Sequence, residues 1–321
     1  MHLIVPFAGT VSDAGRQALQ SLSLPALSRL LARWMPDTAL GSDEFSPNPP
    51  HEQALAQALG WITAPITAPI AAPNNALPWA ARQAAALGWP VGDAAWALLT
   101  PVHLHVGSDA ISLTEPGSLQ LDEAASRQLC DAVHPLFETE GFTLRWAAPQ
   151  QWLASHALFD GLATASIDRV IGRNIDPWLP EQRSARLIRR LQNEVQMLLY
   201  THPLNDAREA AGLPTVNSFW LSGCGRLPAV ANAAVNRTAA PQIDDRLREP
   251  ALAEDWAAWC EAWQALDSGP ITALLGAGDD ARLTLCGERR AQAWAPAAQG
   301  LWQRLSGSWR KPSVHAALEA L

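Results

Sequence analysis

The stretch LLYTHPLNDAREAAGLPTVNSFWLSGCGR, from Leu198 to Arg226, decides how this chain is read. It holds several local signals in a row. An apolar stripe at Leu187, Leu191, Val195 and Leu198 marks one face of a helix over Glu181–Tyr200. His202 and Pro203 then open a shorter helix, since proline is tolerated in a first turn, and Gly212 ahead of Pro214 stops it. Val216–Ser222 is an apolar run of strand length that leads into the turn Gly223, Cys224, Gly225. Helix, helix, strand and glycine turn in this order are the parts of an α/β protein.

The rest of the chain extends the pattern. His2–Phe7 is a short apolar run ended by Gly9, the signature of a buried strand. Leucines from Leu19 to Leu31 give two helical pieces divided at Pro25, the second ending before Pro36. Asp37–Pro50 is a loop by composition. His51–Leu59 and Trp79–Leu87 are helical and end at Gly60 and Gly88. Between them Ile62–Asn75 repeats TAPITAPIAAP, whose prolines forbid a regular helix, so it is an extended linker or flap. Ala94–Thr100 is a strand, and Val102–Val106 and Ala110–Thr114 flank Gly107, Ser108 and Asp109 as a hairpin. Asp122 caps a helix to about Phe137, and Phe142–Trp146 is a strand. Leu252–Leu266 is a tryptophan-rich helix, Arg282–Cys286 a strand, and helices close the chain near Trp302 and Leu318. The expected fold is α/β, a mainly parallel central sheet flanked by helices with a smaller antiparallel addition. It is expected as a single domain over 1–321, with a candidate small subdomain or flap around 61–147.

Composition narrows the function. The 321 residues are 48% hydrophobic and 17% charged, which suits a large core rather than a disordered chain. A net charge of −8 argues against non-specific nucleic-acid binding and against an anionic membrane surface, and nothing reads as a helix-turn-helix. No apolar run has the length of a membrane span, and the opening MHLIVPF has neither a basic region nor a cleavage site. A cytoplasmic setting follows as the expectation, with Cys130, Cys224, Cys260 and Cys286 as reduced thiols, none at metal-binding spacing. Lys311 is the single lysine among 23 basic residues, and 15 tryptophans supply bulky anchors.

The block around His202, Asn205, Arg208, Gly212, Pro214, Asn217, Trp220, Gly223 and Gly225 resembles a segment of the archaeal-type cofactor-independent phosphoglycerate mutases. The openings His2–Pro6 and Leu24–Leu31 are similar to that family's first strand and helix. The whole chain resembles more closely a bacterial regulatory family, the "regulation of pathogenicity factors" E type. Pro50–Glu52, Leu99–His103, Ile171–Asn174, Asp176–Trp178 and Leu191–Tyr200 carry that likeness. The mutase resemblance implies an alkaline-phosphatase-like fold with two divalent metals, a serine nucleophile and Asp and His ligands. There the metals neutralise phosphate and activate the nucleophile.

Tested residue by residue, that ligand set fails. The position of the first aspartate, at the end of the N-terminal strand, falls on Gly9, and that of the nucleophile on His51, with Ser46 nearby. After Arg226 only His315 remains as a histidine, while Asp244, Asp245, Asp279 and Asp280 lack His partners. The expectation is a degenerate phosphomutase fold that has lost the two-metal site and needs no cofactor.

Replacement sites are few. His103 and His105 alternate on a strand and could share a metal such as Mn, with His51 contributing from a loop–helix junction. Against this stands the plain reading of half-buried strand histidines. His51, His103 and His105 are thus the catalytic candidates of an enzyme reading. The ligand-binding candidates are His202, Asn205, Arg208, Asn217 and Arg226, with Arg173 and Asn174 in a polar loop. His202 at a helix N-terminus either contacts an anion or caps the helix. Arg183, Arg186, Arg189 and Arg190 form either a phosphate clamp or a solvated helix face. The Ser222–Arg226 turn would form an anion nest if it lay at the carboxyl edge of the sheet, with Cys224 as a thiol there. Trp256, Trp259 and Trp263 are core or interface residues. The leading expectation is a non-catalytic regulatory protein that binds a small anionic ligand or a protein partner. The alternative is a phosphoglycerate mutase-like or phosphatase enzyme with relocated metal ligands.

Overall fold

The computed structural model describes residues 1–41, 45–61, 77–228, 240–296 and 313–321. The proline-rich segment 62–75 and the helix expected near Trp302 lie outside them. The chain forms two compact units, Met1–Ile70 with Val230–Leu321, and Ala71–Ala229. Most of the stretch around 61–147 belongs to the second unit.

The first unit opens with β1 (His2–Val5), α1 (Asp13–Ser21), α2 (Pro25–Arg33), β2 (Trp34–Gly41) and α3 (Pro50–Ala58). Ser12 caps α1 by accepting from the Gly15 amide at 3.0 Å. The second unit contains α4 (Trp79–Ala86), β3 (Trp96–Val102), β4 (Leu104–Val106), β5 (Ile111–Leu113), α5 (Glu123–Thr139), β6 (Thr143–Ala148) and β7 (Gln151–Ser155). It continues with α6 (Ala185–Tyr200), α7 (Pro203–Ala210) and β8 (Ser218–Gly225). The chain then completes the first unit with β9 (Gln242–Ile243), α8 (Arg248–Leu252), α9 (Trp256–Leu266), α10 (Thr272–Leu275), β10 (Arg282–Cys286), β11 (Arg290–Pro296) and α11 (Val314–Glu319).

The sheet of the first unit has the order β2-β11-β10-β1-β9. It is mixed, which corrects the expectation of a mainly parallel sheet. β1 runs parallel to β10 and β9, whereas β11 is antiparallel to both β10 and β2. The reason is local: β10 and β11 are joined by the short turn Gly287–Arg289, and so close a return can only be antiparallel. One face of this sheet carries Leu3, Val5, Leu283, Leu285 and Trp294 into a core with α1, α2 and α9. Trp259 and Trp263 are fully buried there, and Trp256, Trp259 and Trp263 stack edge to face in turn, so they are core residues rather than an exposed anchor. By strand alternation His2, Thr284 and Ala293 point to the opposite face, toward α3.

In the second unit, β6-β7-β3-β8 is antiparallel throughout, and β4 and β5 form the expected hairpin, closed by the Gly107 amide on the Ala110 carbonyl at 2.9 Å. The α6 stripe holds at Leu191 and Val195 but is completed by Ile188 and Leu199, with Leu187 and Leu198 only partly buried at its margin. The four buried residues pack with Leu129, Val133 and Phe137 of α5 and with Leu99, Trp152 and Phe219 of the sheet. Each such side chain contributes about 1.5–3 kcal/mol through its removal from water. On the sheet's other face Ala80, Ala81 and Ala84 of α4 meet Trp96 and Leu153.

Candidate functional site

The resemblance to metal-dependent mutases points to the carboxyl ends of β1 and β10, where open α/β sheets place ligands. The chain itself fills that edge. After β1, Phe7 takes a left-handed conformation at φ 55°, and its carbonyl accepts from Trp259 Nε1 at 3.0 Å. The Ala8 amide donates to the Cys286 carbonyl at 2.7 Å. A Cβ on Gly9 would lie 2.6 Å from the Leu318 carbonyl oxygen, and one on Gly287 would lie 2.7 Å from Leu321 Cβ. The Arg290 amide donates to the Leu321 carbonyl at 2.7 Å and fastens the segment after α11 in place. His51, in the first turn of α3, rests its ring against Phe7 at 5.6 Å between centroids. Ser46 donates to the Asn48 carbonyl at 3.1 Å. Gly9, tightly packed, stands at the position where the resemblance implies the first carboxylate. Among the described residues no group of three or more His, Cys, Asp or Glu is arranged to hold a metal ion.

The block from His202 to Arg226 is held by backbone groups. His202 caps α7, its Nδ1 accepting from the Leu204 amide at 3.2 Å. Asn205 is buried; its amide nitrogen donates to the carbonyls of Leu199 and Val216, both at 2.8 Å, and its oxygen accepts from the Val216 amide at 3.0 Å. Arg208 is 5% exposed and donates to the Pro214 carbonyl at 2.9 Å and to the Leu119 carbonyl. Burial lowers its pKa, against the opposing pull of Asp122. Asn217 pairs with both backbone groups of Leu104, at 2.7 and 2.9 Å. His103 joins this network through Nδ1 on the Thr215 carbonyl at 2.8 Å. The structure therefore brings His103, Asn205, Arg208 and Asn217 together around residues 214–217, with their polar atoms facing main chain, while His202 caps α7.

The other candidates disperse. His105 is exposed on β4 opposite Ser112. His51 belongs to the first unit, His103 and His105 to the second. Exposed Arg173 and Asn174 adjoin the hairpin through a bridge to Ser112, and Asn174 closes an Asx turn on the Asp176 amide at 3.2 Å. Arg226 pairs with Asp160 at 2.9 Å and donates to the Asp93 carbonyl. On α6, Arg190 pairs with Glu140 and Glu194, and Arg183, Arg186 and Arg189 are exposed.

The anion nest at Ser222–Arg226 is overturned. β8 lies in an antiparallel sheet, and its glycines serve packing: a Cβ on Gly223 would lie 3.1 Å from the Ala80 amide nitrogen, and one on Gly225 would lie 3.2 Å from Pro78 Cβ. Gly223 and Gly225 also have φ of 63° and 140°, which glycine adopts without strain. Cys224 is completely buried, and burial pushes its thiol up to about 12, so it is no nucleophile. All four cysteines are thiols, as expected.

A cleft absent from the sequence reading opens at the opposite, amino edge of the first sheet. His2 begins β1 and Arg282 begins β10, and the parallel register makes them direct neighbours. With Thr284, Thr38, Gln57 of α3 and exposed Asp280 they line a cavity of about 540 Å³. His2 Nε2 bonds Thr284 Oγ1 at 2.9 Å, and Arg282 pairs with Asp37 at 2.6 Å. Burial, reinforced by Arg282, pushes His2 down to about 4, so its ring is neutral near pH 7. Both strands are legible as apolar runs, but their pairing joins residues far apart in sequence, and no local signal reports it.

Fold and edge define a mixed α/β protein, with a five-stranded, a four-stranded and a two-stranded sheet among the described residues. Among the described residues no helix is long and apolar enough to cross a membrane. No protein-family model and no curated protein matches the chain. Distant similarity is found to solved structures. One is a cofactor-independent phosphoglycerate mutase from Thermoplasma acidophilum DSM 1728, with a TM-score of 0.37 and 13% identity over 93% of this chain and 90% of that one. Another is the PH0037 protein from Pyrococcus horikoshii, with a TM-score of 0.45 and 12% identity over 92% of this chain and 87% of that one.

Proposed function

We propose that this chain is a non-catalytic, ligand-binding protein of regulatory type, built on a phosphomutase-like fold whose metal-binding edge is sealed. One observation carries the reading. The backbone oxygen of Leu318 stands 2.6 Å from where a Cβ on Gly9 would be, so that edge leaves no room for an aspartate side chain. The polar residues of the mutase-like block support the same view, because Asn205, Arg208 and Asn217 direct their polar atoms to main-chain groups. The amino-edge cleft supplies the pocket for a small charged ligand.

The test is metal content together with turnover of 3-phosphoglycerate and p-nitrophenyl phosphate, with and without Mn²⁺, on one purified sample. Absence of both stoichiometric metal and turnover is expected. Stoichiometric metal with turnover lost in His51→Ala or His103→Ala would replace this reading by an enzyme with relocated ligands.

A further inference from the structure

The cleft exists because small side chains face one another across it. Ala54 and Ala58 of α3 stand over Thr284 and Ala293 of the sheet, where larger residues would close the gap. Its chemistry is two-sided. Arg282 projects a guanidinium whose described ion pair, to Asp37, uses one nitrogen, so other N–H groups of the fork remain to be used. Asp280, two residues earlier, lines the same cleft with a carboxylate. His2 adds no charge near pH 7, and Thr38, Thr284 and Gln57 add neutral hydrogen-bonding groups. Among the described residues the cleft thus joins two positive groups, the Arg282 guanidinium and the Met1 α-ammonium that also bears on His2, to two carboxylates, Asp37 and Asp280.

That balance disfavours a simple anion. A phosphate or plain carboxylate on Arg282 would match the positive groups but leave the Asp280 carboxylate without a counter-charge from the ligand. A plain amine could satisfy Asp280 but would leave unmatched the guanidinium N–H groups that Asp37 does not use. A ligand carrying both charges satisfies both. Leu40, Ala54 and Ala293 offer the apolar wall for whatever the charged end carries.

We propose that this cleft binds a small zwitterion of the α-amino-acid type, its carboxylate on Arg282, its ammonium on Asp280 and an apolar side chain over Leu40, Ala54 and Ala293. The proposal deepens the ligand-binding reading and rests on it. In the tested pose the carboxylate engages guanidinium N–H groups not used by Asp37, so the Asp37 pair is kept on binding.

The experiment is calorimetric titration of the full chain with leucine and phenylalanine. Leucine's amine (3-methylbutylamine), its acid (4-methylpentanoate) and inorganic phosphate serve as matched probes. At least one amino acid is expected to bind, and each single-charge probe to bind roughly tenfold or more weakly. Asp280→Asn should weaken amino-acid binding by a similar factor, and Arg282→Gln likewise. Asp280 is exposed, so its variant decides the matter if Arg282→Gln fails to fold. Phosphate, acid or amine binding as tightly as the amino acids, unchanged amino-acid affinity in Asp280→Asn, or no binding of either amino acid at millimolar concentration would each overturn the proposal. Turnover plays no part in the readout. Failure here leaves the sealed-edge reading standing, and metal-dependent turnover would remove that reading without deciding what the cleft binds.

Discussion

The carbonyl oxygen of Leu318 lies 2.6 Å from the position a Cβ on Gly9 would occupy. A backbone atom cannot swing aside as a side-chain tip can, so any substitution must displace α11 or the turn after β1. Overpacking of this kind costs about 1–3 kcal/mol, and the fixed carbonyl puts Gly9→Ala near the top of that range and Gly9→Asp beyond it. Urea unfolding should show a lower midpoint for both. Gly9→Asp should gain no Mn²⁺ affinity, and a stable Gly9→Asp protein that binds Mn²⁺ would show the edge to be open.

How much of this was legible in the sequence depends on where the partners lie. β1, β10, the Pro203 helix, the Asp122 cap and the Gly107 hairpin rest on local signals, and all form. β2 was hidden by Pro36, which reads as a breaker, yet β2 is an edge strand, where a missing amide is tolerated. β11, as RAQAWAP, lacks the β-branched residues that mark strands. The candidate site was harder still. Asn205 and Arg208 look alike in sequence whether they hold a ligand or a carbonyl. The carbonyl of Leu119, which Arg208 holds, comes from a distant part of the chain.

Asn205 should therefore behave as a structural residue. Asn205→Ala removes three hydrogen bonds and strands buried groups of Leu199 and Val216. A loss of about 2–4 kcal/mol is expected, larger than for a surface polar residue. Asn205→Asp should be at least as damaging, because it turns an oxygen toward two carbonyls. Denaturant unfolding measures both. Undiminished stability in Asn205→Ala would return this residue to the list of ligand contacts.

Asp267 supplies the cap that α2 lacks. Leu24, ahead of Pro25, offers no side-chain acceptor, and the carboxylate of Asp267 accepts from the amides of Ala26 and Leu27 at 2.9 and 2.7 Å. Asp267 sits in a π-helical turn, Asp267–Ile271, that continues α9, so one helix end is pinned by the next element of the core. Asp267→Ala should cost about 2–3 kcal/mol. Hydrogen exchange should show the loss first at the start of α2, and equal protection of Ala26 and Leu27 in variant and parent would refute the capping role.

His2 makes stability fall on mild acidification. Its pKa is lowered from 6.5 to about 4 in the folded chain, first by burial and then by Arg282. The unfolded chain binds a proton on this ring near pH 6.5 that the folded chain refuses until about pH 4. Across that window the unfolded state gains protons first, so stability declines as pH falls and recovers as pH rises. The shift sets a ceiling of about 3 kcal/mol, reduced by the water that reaches a half-buried ring. Carboxylates titrate at the lower end of the same window, so the parent's curve alone does not isolate His2. His2→Gln does: it keeps a polar group beside Thr284 and cannot take up the proton. Its stability relative to the parent should therefore improve steadily from pH 6.5 toward pH 4, and parallel curves for the two proteins would mean that His2 titrates as it does in water.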